Sequence, residues 1–349
     1  MNTKTHVGAA VAATLLLASV AAACGGSGKS SSVAGTHESS STLVGAGSTL
    51  VAPFVAQWQS PYAKAHGVTV TYGAIGSGGG IQQMTARTVD FGASDAPLTP
   101  DQASACKGCV MVPWALAATT VSYNVPGVAT PLRLTGPVVA DMYLGTIKRW
   151  NDPRIKHLNS GIALPSTAVH PVFRSDASGD TYAFTDFLAH VSPAWKSKIG
   201  TATSVNWPTG SGGKGNAGVA AVVQSTPGAV GYVAIAQAVA SKLQYADIQN
   251  RAGAYVKPST ASIAAAAATA SFRPDNSVSI VYPPASARTA YPISTFTYAI
   301  VPRSSGKLAA LKAFLTYAVT TGRQYATALE FAPLPQNVVV KDRSIIKGL

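Results

Sequence analysis

Three loops in this chain carry residues suited to holding a small anion. Each follows a predicted strand and precedes a predicted helix, and the loops are Gly45–Thr49, Gly76–Gly80 and Arg174–Asp180. Glycine lets the backbone approach a ligand closely, and the first amides of a helix point outward at the positive end of its dipole. One such loop is a weak signal. Three of them, with hydroxyl groups at the turns, predict helix N-termini that converge on an oxyanion.

Acidic residues are scarce, and three of the 13, Asp95, Asp176 and Asp180, lie in or beside these loops. A carboxylate beside a bound anion costs Coulomb energy unless it accepts a proton that the ligand carries. Phosphate carries one or two protons near neutral pH and sulfate carries none, so such an aspartate would favour phosphate and repel sulfate. The alternative is that each aspartate caps a helix. For Asp176 we expect a different role, which is to orient and partly neutralise Arg174.

The elements that must position these loops follow an α/β pattern. Predicted strands cover Thr42–Gly45, Val68–Tyr72, Val89–Asp95, Val169–Phe173, Val278–Tyr282 and Thr295–Val301. Predicted helices include Pro53–His66, Ile81–Arg87, Tyr182–His190 and a terminal helix at Leu308–Thr320. Asp95 ends its strand, and ligands of open α/β sheets bind at the carboxyl ends of strands. At 349 residues two domains are expected, and the late strands and helix suggest that the first is discontinuous.

The N-terminus is typical of an export signal. Lys4 precedes the apolar run Val11–Val20, and small residues stand just before Cys24, as in a bacterial lipobox. We therefore predict a signal peptide over 1–23, a lipid on Cys24 and a flexible Gly/Ser-rich tether over 24–41. An ordinary secretory signal, with Cys24 incidental, is the alternative. The apolar run is too short for a stable transmembrane helix.

The other two cysteines form a C-x-x-C pair, Cys106 and Cys109. An exported chain favours their oxidation to a local disulfide with a structural role. Redox catalysis is the competing interpretation, but the surroundings lack a thioredoxin-like βαβ pattern. Zinc binding would require a second pair of ligands, which the spacing does not provide.

Composition and motif searches argue against several other classes of protein. The formal net charge is +13, but the basic residues are scattered, which gives nucleic-acid binding little support. The sequence patterns of serine hydrolases, zinc proteases, P-loop proteins and kinases fail on close comparison. With only 13 acidic residues, carboxylate-rich metal sites are not expected. We therefore expect a binding protein that needs no cofactor or metal and is not an enzyme.

Six segments, in order along the chain, resemble a known family. They are Gly45–Thr49, Ile75–Gly80, Val89–Leu98, Tyr143–Asp152, Arg174–Gly179 and Thr226–Tyr232. Together they resemble the phosphate-binding lipoproteins of the bacterial phosphate-specific ABC transporter, from about Leu43 to the C-terminus. The resemblance implies an α/β fold of the two-lobed periplasmic-binding-protein type II, in which each lobe is a mixed sheet flanked by helices. The lobes would close around the anion by a hinge motion.

The resemblance also implies the lobe boundaries and the phosphate contacts. Lobe I would comprise 42–118 and 284–349, and lobe II 119–283, with crossings near 115–124 and 281–292. The implied contacts are Thr49, the Leu50 amide, Ser77 and Asp95 on lobe I, and Arg174, Ser178, Gly179 and Asp180 on lobe II. Gly213–Asn216 is expected at the cleft edge of lobe II, without a ligand contact.

Two of these positions depart from the family pattern. Leu50 replaces a frequent Phe, which matters little because only its amide would bind. Asp180 stands where many members have Thr. If Asp95 and Asp180 both accept protons from the ligand, the monoanion fits best and binding weakens as pH rises above the second pKa of phosphate. The alternative is that Asp180 caps its helix and binds only through its amide.

The expected function is high-affinity binding of inorganic phosphate at the outer face of the cell membrane and its delivery to an ABC permease. The expected partners are phosphate, the transmembrane subunits of the permease and the membrane itself through the lipid, with the protein a monomer that binds no nucleic acid. A receptor for another tetrahedral oxyanion is the nearer alternative, and Asp95 disfavours it. An exported phosphoesterase is more remote, because it would need a nucleophile with a base or two metals.

Overall fold

A computed structural model describes residues 42–349. The predicted signal peptide, the tether and Cys24 lie outside this range. Helices within it are α1 Ala52–His66, α2 Ser77–Thr85, α3 Pro100–Ala105, α4 Gly136–Tyr143, α5 Pro153–Leu158, α6 Gly179–Val191, α7 Pro193–Lys198, α8 Gly215–Ser225, α9 Ile235–Ala240, α10 Thr260–Ala267, α11 Leu308–Val319 and α12 Gln336–Lys347. Strands are β1 Thr42–Gly47, β2 Thr69–Ala74, β3 Phe91–Ser94, β4 Cys109–Tyr123, β5 Arg133–Leu134, β6 His170–Arg174, β7 Ser211–Gly213, β8 Ala229–Ala234, β9 Gln244–Tyr245, β10 Asp247–Gln249, β11 Tyr255–Val256 and β12 Ser294–Pro302.

The long strand β4 connects two groups of strands. The main sheet has the order β2-β1-β3-β12-β4-β8-β6-β7, with β9 also on β4, and a small sheet has the order β11-β10-β5. The first part of β4 pairs antiparallel with β12 as far as Ala118, and from Thr119 onward it pairs with β8. On either side of β4 lie parallel strands, β1 with β2 and β3, and β6 with β7 and β8. The predicted lobe boundary between 118 and 119 coincides with this change of partner, and the boundaries themselves stay a prediction.

The close packing of α2 on the sheet explains why the first turn of α2 ends in glycine, at Gly80. A Cβ on Gly80 would lie 2.5 Å from the Cα of Gly47 and 2.6 Å from the carbonyl oxygen of Ala46. No side chain fits there, so the first turn of α2 rests directly on the end of β1. This contact brings the N-terminus of α2 to the carboxyl end of β1, where the first predicted anion loop begins.

Aromatic side chains fill the cores on both sides of β4. Between β4 and the helices α1 and α11, the Trp58 and Trp114 rings lie 5.3 Å apart, and Phe314 contacts both. On the other side, Phe184 stacks on Tyr232 at 4.5 Å. Burying side chains of this size is the main driving force for folding, because each removes a large apolar surface from water.

The elements differ from the sequence predictions in three places. Helix α2 begins at Ser77, inside the glycine loop, whereas the apolar pattern predicted a start at Ile81. The strand predicted at Val278–Tyr282 is wrong: Val278 forms only an isolated bridge. Two prolines follow Tyr282 and cannot donate to a ladder. The helix predicted as terminal is followed by α12, whose buried face has helical spacing at Val338, Val339, Asp342 and Ile346.

One buried carboxylate in α12 has a consequence for stability. Asp342 is fully buried, and neither of its oxygens has a hydrogen-bond partner among residues 42–349. Burial raises the pKa of Asp342 from 3.8 to about 8. Because the folded state holds this proton more tightly than the unfolded chain, the contribution of Asp342 to stability is present at low pH. It is lost as pH rises from about 4 towards 8.

We therefore expect that Asp342→Asn abolishes the loss of stability that accompanies a rise in pH. Between pH 4 and 8 the free energy of unfolding of the wild type should decrease by roughly 1 kcal/mol per pH unit, compared with that of the variant. The variant should therefore be the more stable protein at pH 8. Denaturant unfolding at pH 5, 6.5 and 8 measures the difference, with the exposed Asp101→Asn as the control. A difference that does not change with pH would contradict the assignment.

Candidate functional site

The second and third anion loops meet directly. Ser77 opens α2 and Gly179 opens α6, and the Gly179 amide donates to Ser77 Oγ at 3.0 Å. The Gly78 amide donates to the carbonyl oxygen of Ala177, also at 3.0 Å. Two helix N-termini therefore face each other across one short gap, with their positive dipole ends directed at the same region.

Asp95 lies between the first two loops and is almost fully buried, with 2% of its surface exposed. Ser48 Oγ donates to Asp95 Oδ1 at 2.5 Å, and Ser77 Oγ lies 3.3 Å from Asp95 Oδ2. Burial and the carboxylate of Asp180 raise the pKa of Asp95 to about 7, while the Ser48 hydrogen bond and the Arg174 charge oppose the rise. Near neutral pH this carboxyl group can therefore either hold a proton or accept one.

Gly179 allows α6 to reach Asp95. A Cβ at this position would lie 2.4 Å from the Cβ of Asp95, so any side chain would push the two loops apart. The sequence therefore needs glycine here for the close approach of two backbones. The result is that the first amides of α6 lie beside a buried carboxyl group.

Arg174 ends β6 with its guanidinium between two aspartates. Its Nε donates to Asp176 Oδ1 at 2.8 Å, its Nη2 donates to Asp176 Oδ2, and its Nη1 donates to Asp180 Oδ2 at 2.9 Å. Burial alone would lower the pKa of Arg174, but the two carboxylates more than offset it and raise the pKa. Burial likewise opposes ionisation of Asp176, but the guanidinium holds the pKa of Asp176 below its usual value. The guanidinium is thus held in one orientation and stays charged.

The side chain of Asp180 has its hydrogen bonds within the protein. Asp180 Oδ1 accepts from Thr119 Oγ1 at 2.9 Å, and Asp180 Oδ2 accepts from Arg174 and from Asn216 Nδ2 at 2.8 Å. Ser178 caps α6 and accepts from the amides of Asp180 and Thr181. The Asp180 carboxylate is therefore surrounded by protein donors, while its amide lies in the first turn of the helix.

Besides Thr119, which donates to Asp180, the structure brings into the site two residues that the sequence analysis did not assign to it. Ser48 caps the turn after β1 by accepting from the amides of Leu50 and Val51, while it donates to Asp95. The position of Ser48 in the first glycine loop indicated that it could lie near the site. Its contact with Asp95, however, depends on the packing of β1 beside β3. Asn216 is the second, and the sequence offered no signal for its contacts.

Asn216 bridges residues from distant parts of the chain. Its Nδ2 donates to Thr49 Oγ1 at 3.0 Å as well as to Asp180, and its backbone amide is 3.3 Å from Thr49 Oγ1. Its Oδ1 accepts from the Ala234 amide at 2.7 Å, which fixes the side-chain orientation. Thr49 is half-buried and, together with Asp176 and Asn216, lines a surface cavity of about 430 Å³. Leu50, in contrast, is a core residue.

The charges at this centre do not balance. One guanidinium, Arg174, faces the carboxyl groups of Asp95, Asp176 and Asp180, so the four groups carry a formal charge of −2 when all are ionised. The helix N-termini and hydroxyl groups offset this only in part. Such a centre favours a ligand that brings a proton with it.

Three further features of residues 42–349 concern metal binding, membrane-spanning helices and the two cysteines. Within residues 42–349 no group of three His, Cys, Asp or Glu side chains could hold a metal ion. Over the same residues, no helix is long and apolar enough to cross a membrane. Cys106 and Cys109 are joined by a disulfide, as their spacing and the export signal had predicted.

Comparison with known sequences places the chain among phosphate-binding proteins. The profile of the PBP superfamily domain matches residues 32–321. The phosphate-binding protein PstS of Xylella fastidiosa (strain Temecula1) is 40% identical over 301 residues, which is 85% of this chain and 82% of that protein. PstS2 of Mycobacterium bovis is 33% identical over 369 alignment positions, which cover 98% of both chains.

Solved structures agree on the fold. A high-affinity periplasmic phosphate-binding protein, PfluDING, solved with bound phosphate at pH 8.5, superposes with a TM-score of 0.69 at 19% identity and covers 87% of this chain and 93% of that one. A phosphate-binding protein from Stenotrophomonas maltophilia gives a TM-score of 0.65 at 17% identity, with the same coverage. The fold predicted from the sequence, the α/β periplasmic-binding-protein fold of type II, is confirmed. The chain is a member of the PBP superfamily and, within it, of the PstS family of phosphate-binding proteins.

Proposed function

We propose that this protein binds inorganic phosphate between its two lobes and delivers it to an ABC permease, without catalysing a reaction on it. The observation that carries the proposal is Asp95, a buried carboxyl group with a pKa of about 7. It lies among two serine hydroxyls and the N-termini of α2 and α6. Hydroxyls and helix amides donate to oxyanion oxygens, and Asp95 accepts the P–OH that sulfate lacks.

The proposed contacts follow from the positions of the donors. Thr49 Oγ1, the Leu50 amide, Ser77 Oγ, Arg174, Ser178 and the amides of Gly179 and Asp180 donate, and Asp95 accepts. For Asp180 the geometry favours the amide alone, because Thr119, Arg174 and Asn216 already surround its carboxylate. Asp176 takes no part in binding phosphate and serves to hold Arg174 in place.

We propose the lobes predicted from the sequence, 42–118 with 284–349 and 119–283. The change of strand partner along β4 at Ala118–Thr119 supports the first crossing. Closure of the lobes would bring Thr49 to Asn216 and Ser77 to Gly179, the contacts described above. The protein would be monomeric and held at the outer face of the membrane by a lipid on Cys24, a proposal that rests on the residues around Cys24.

The first expected outcome concerns pH. Above pH 7 Asp95 is mostly ionised, and the phosphate dianion still carries the one proton that Asp95 accepts, so binding takes up no proton. The apparent Kd should then change little between pH 7.5 and 8.5, and should rise by up to about tenfold per pH unit as pH falls below 7 and Asp95 takes up a proton of its own. Calorimetric titration in buffers of different ionisation enthalpy measures both the Kd and the proton uptake. A Kd that is the same at pH 6 and pH 8, or uptake of a proton at pH 8, would contradict the role of Asp95 as the single proton acceptor.

The second concerns selectivity. In Asp95→Asn the amide nitrogen can donate to an oxygen without a proton, so sulfate is no longer repelled. The ratio of phosphate to sulfate affinity should fall by at least about tenfold, since buried polar sites that match one ligand reject its analogue by large factors. Titration with each anion measures the ratio, and Asp101→Asn is the exposed control. An unchanged ratio, with sulfate still silent, would exclude Asp95 as the selective group.

The third expected outcome distinguishes between two possible ligand contacts of Asp180, through its amide or through its carboxylate. If only its amide binds, Asp180→Asn should strengthen phosphate binding, because it removes a negative charge beside the anion while Asp176 still holds Arg174. The pH dependence of Kd should stay as in the wild type. If the carboxylate accepts a second ligand proton, the variant should lose about one proton of uptake. Proton uptake at pH 8 therefore decides between the amide and the carboxylate.

A further inference from the structure

The disulfide lies at an exposed corner between α3 and β4 that the phosphate site does not use. Cys106 ends α3 and is buried, and Cys109 opens β4 and is partly exposed. The two residues between them, Lys107 and Gly108, are both exposed. Cys109 is therefore the more accessible residue of the pair, and Cys106 is shielded from solvent.

A guanidinium group contacts this disulfide. Arg87 Nη1 lies 3.1 Å from Cys109 Sγ and 4.0 Å from Cys106 Sγ. Backbone carbonyls hold it there, because Nη2 donates to Cys106 O at 2.8 Å and to Lys107 O at 3.2 Å, and Nη1 is 3.4 Å from Met84 O. The position of Arg87 therefore depends on these carbonyls as well as on the sulfur atoms, and opening the S–S bond leaves a cation beside both sulfurs.

The other charged groups near the pair are also mostly positive. Lys107 lies within the C-x-x-C loop, and Arg303 follows Pro302, the residue that pairs with Cys109 across β12 and β4. The acid of α3, Asp101, lies in its first turn, at the far end of the helix from Cys106. The C-terminal end of α3 disfavours a thiolate on Cys106, so Cys109 is the better site for one.

We propose that Cys106–Cys109 is a redox-active disulfide that exchanges with an exported dithiol. A thiolate of the dithiol attacks Cys109 Sγ, the S–S bond breaks, and Cys106 leaves and takes a proton. The second sulfur of the dithiol then attacks its own partner in the mixed disulfide and releases Cys109 as a thiolate beside Arg87. The dithiol is oxidised by two electrons, the protein is reduced by two, and one proton goes to solvent.

The Arg87 charge gives this pair its reactivity. A neighbouring cation lowers the pKa of a thiol and stabilises the reduced form, which makes the disulfide easier to reduce than a purely structural one. The prediction is independent of phosphate binding, since Arg87 and the two cysteines are not among the residues proposed to contact phosphate.

The test uses the full chain with Cys24→Ser, so that only two thiols react. In the reduced protein, the pH dependence of alkylation by iodoacetamide should show one thiol with a pKa at least one unit below the ordinary value of about 8.5. Arg87→Met should return it towards that value. In glutathione buffers at pH 7.5, the same change should shift the equilibrium several-fold towards the disulfide.

Two further variants serve as controls. Arg87→Lys keeps the charge and should retain part of the lowered pKa, while the exposed Arg288→Met should leave it unchanged. If both wild-type thiols titrate at about 8.5 or above, the proposal is wrong, and this measurement needs no variant. An equilibrium with glutathione that is the same in wild type and Arg87→Met would equally overturn it.

Discussion

The centre of this protein depends on keeping one carboxyl group, Asp95, away from water. A buried carboxylate is costly unless hydrogen bonds or a cation stabilise it. Here two serine hydroxyls provide the hydrogen bonds. The cation is Arg174, but its guanidinium donates its hydrogen bonds to Asp176 and Asp180. The pKa of Asp95 therefore lies near 7, where the group can exchange a proton with a bound acid. Tighter pairing would leave it permanently ionised, which disfavours any anion that carries no proton of its own.

The arrangement of Arg174 explains how Asp180 is tolerated beside an anion site. A threonine at this position could donate to a ligand, whereas an aspartate only accepts. The structure directs the Asp180 carboxylate to Thr119, Arg174 and Asn216, so the negative charge is used to orient the guanidinium. The Asp180 amide donates to Ser178 Oγ in the first turn of α6, so the carboxylate and the amide of Asp180 both have partners within the protein.

The close contacts at the site require backbones to meet without side chains. Gly80 lets α2 rest on β1, and Gly179 lets α6 touch Asp95. The contact of Gly179 with Asp95 joins segments on opposite sides of β4, whereas Gly80 and β1 lie on the same side. The site is therefore a property of how the two parallel-stranded halves meet, and the long strand β4, which pairs with both, holds them in register.

The sequence by itself determined the α/β class and the three glycine loops, because strand and helix periodicity and turn chemistry are local, whereas the phosphate contacts were implied by the PstS resemblance and stay a prediction. It also indicated the disulfide, since two cysteines three residues apart are always close in space. The contacts of Ser48 with Asp95, and of Asn216 with Thr49 and Asp180, arose only in the tertiary structure, because they join residues between 36 and 167 positions apart. The strand wrongly predicted at Val278–Tyr282 and the unpredicted α12 show the same limit. A short apolar run becomes a strand only when a neighbouring strand offers its hydrogen bonds, and an amphipathic helix forms where a core surface is there to cover it.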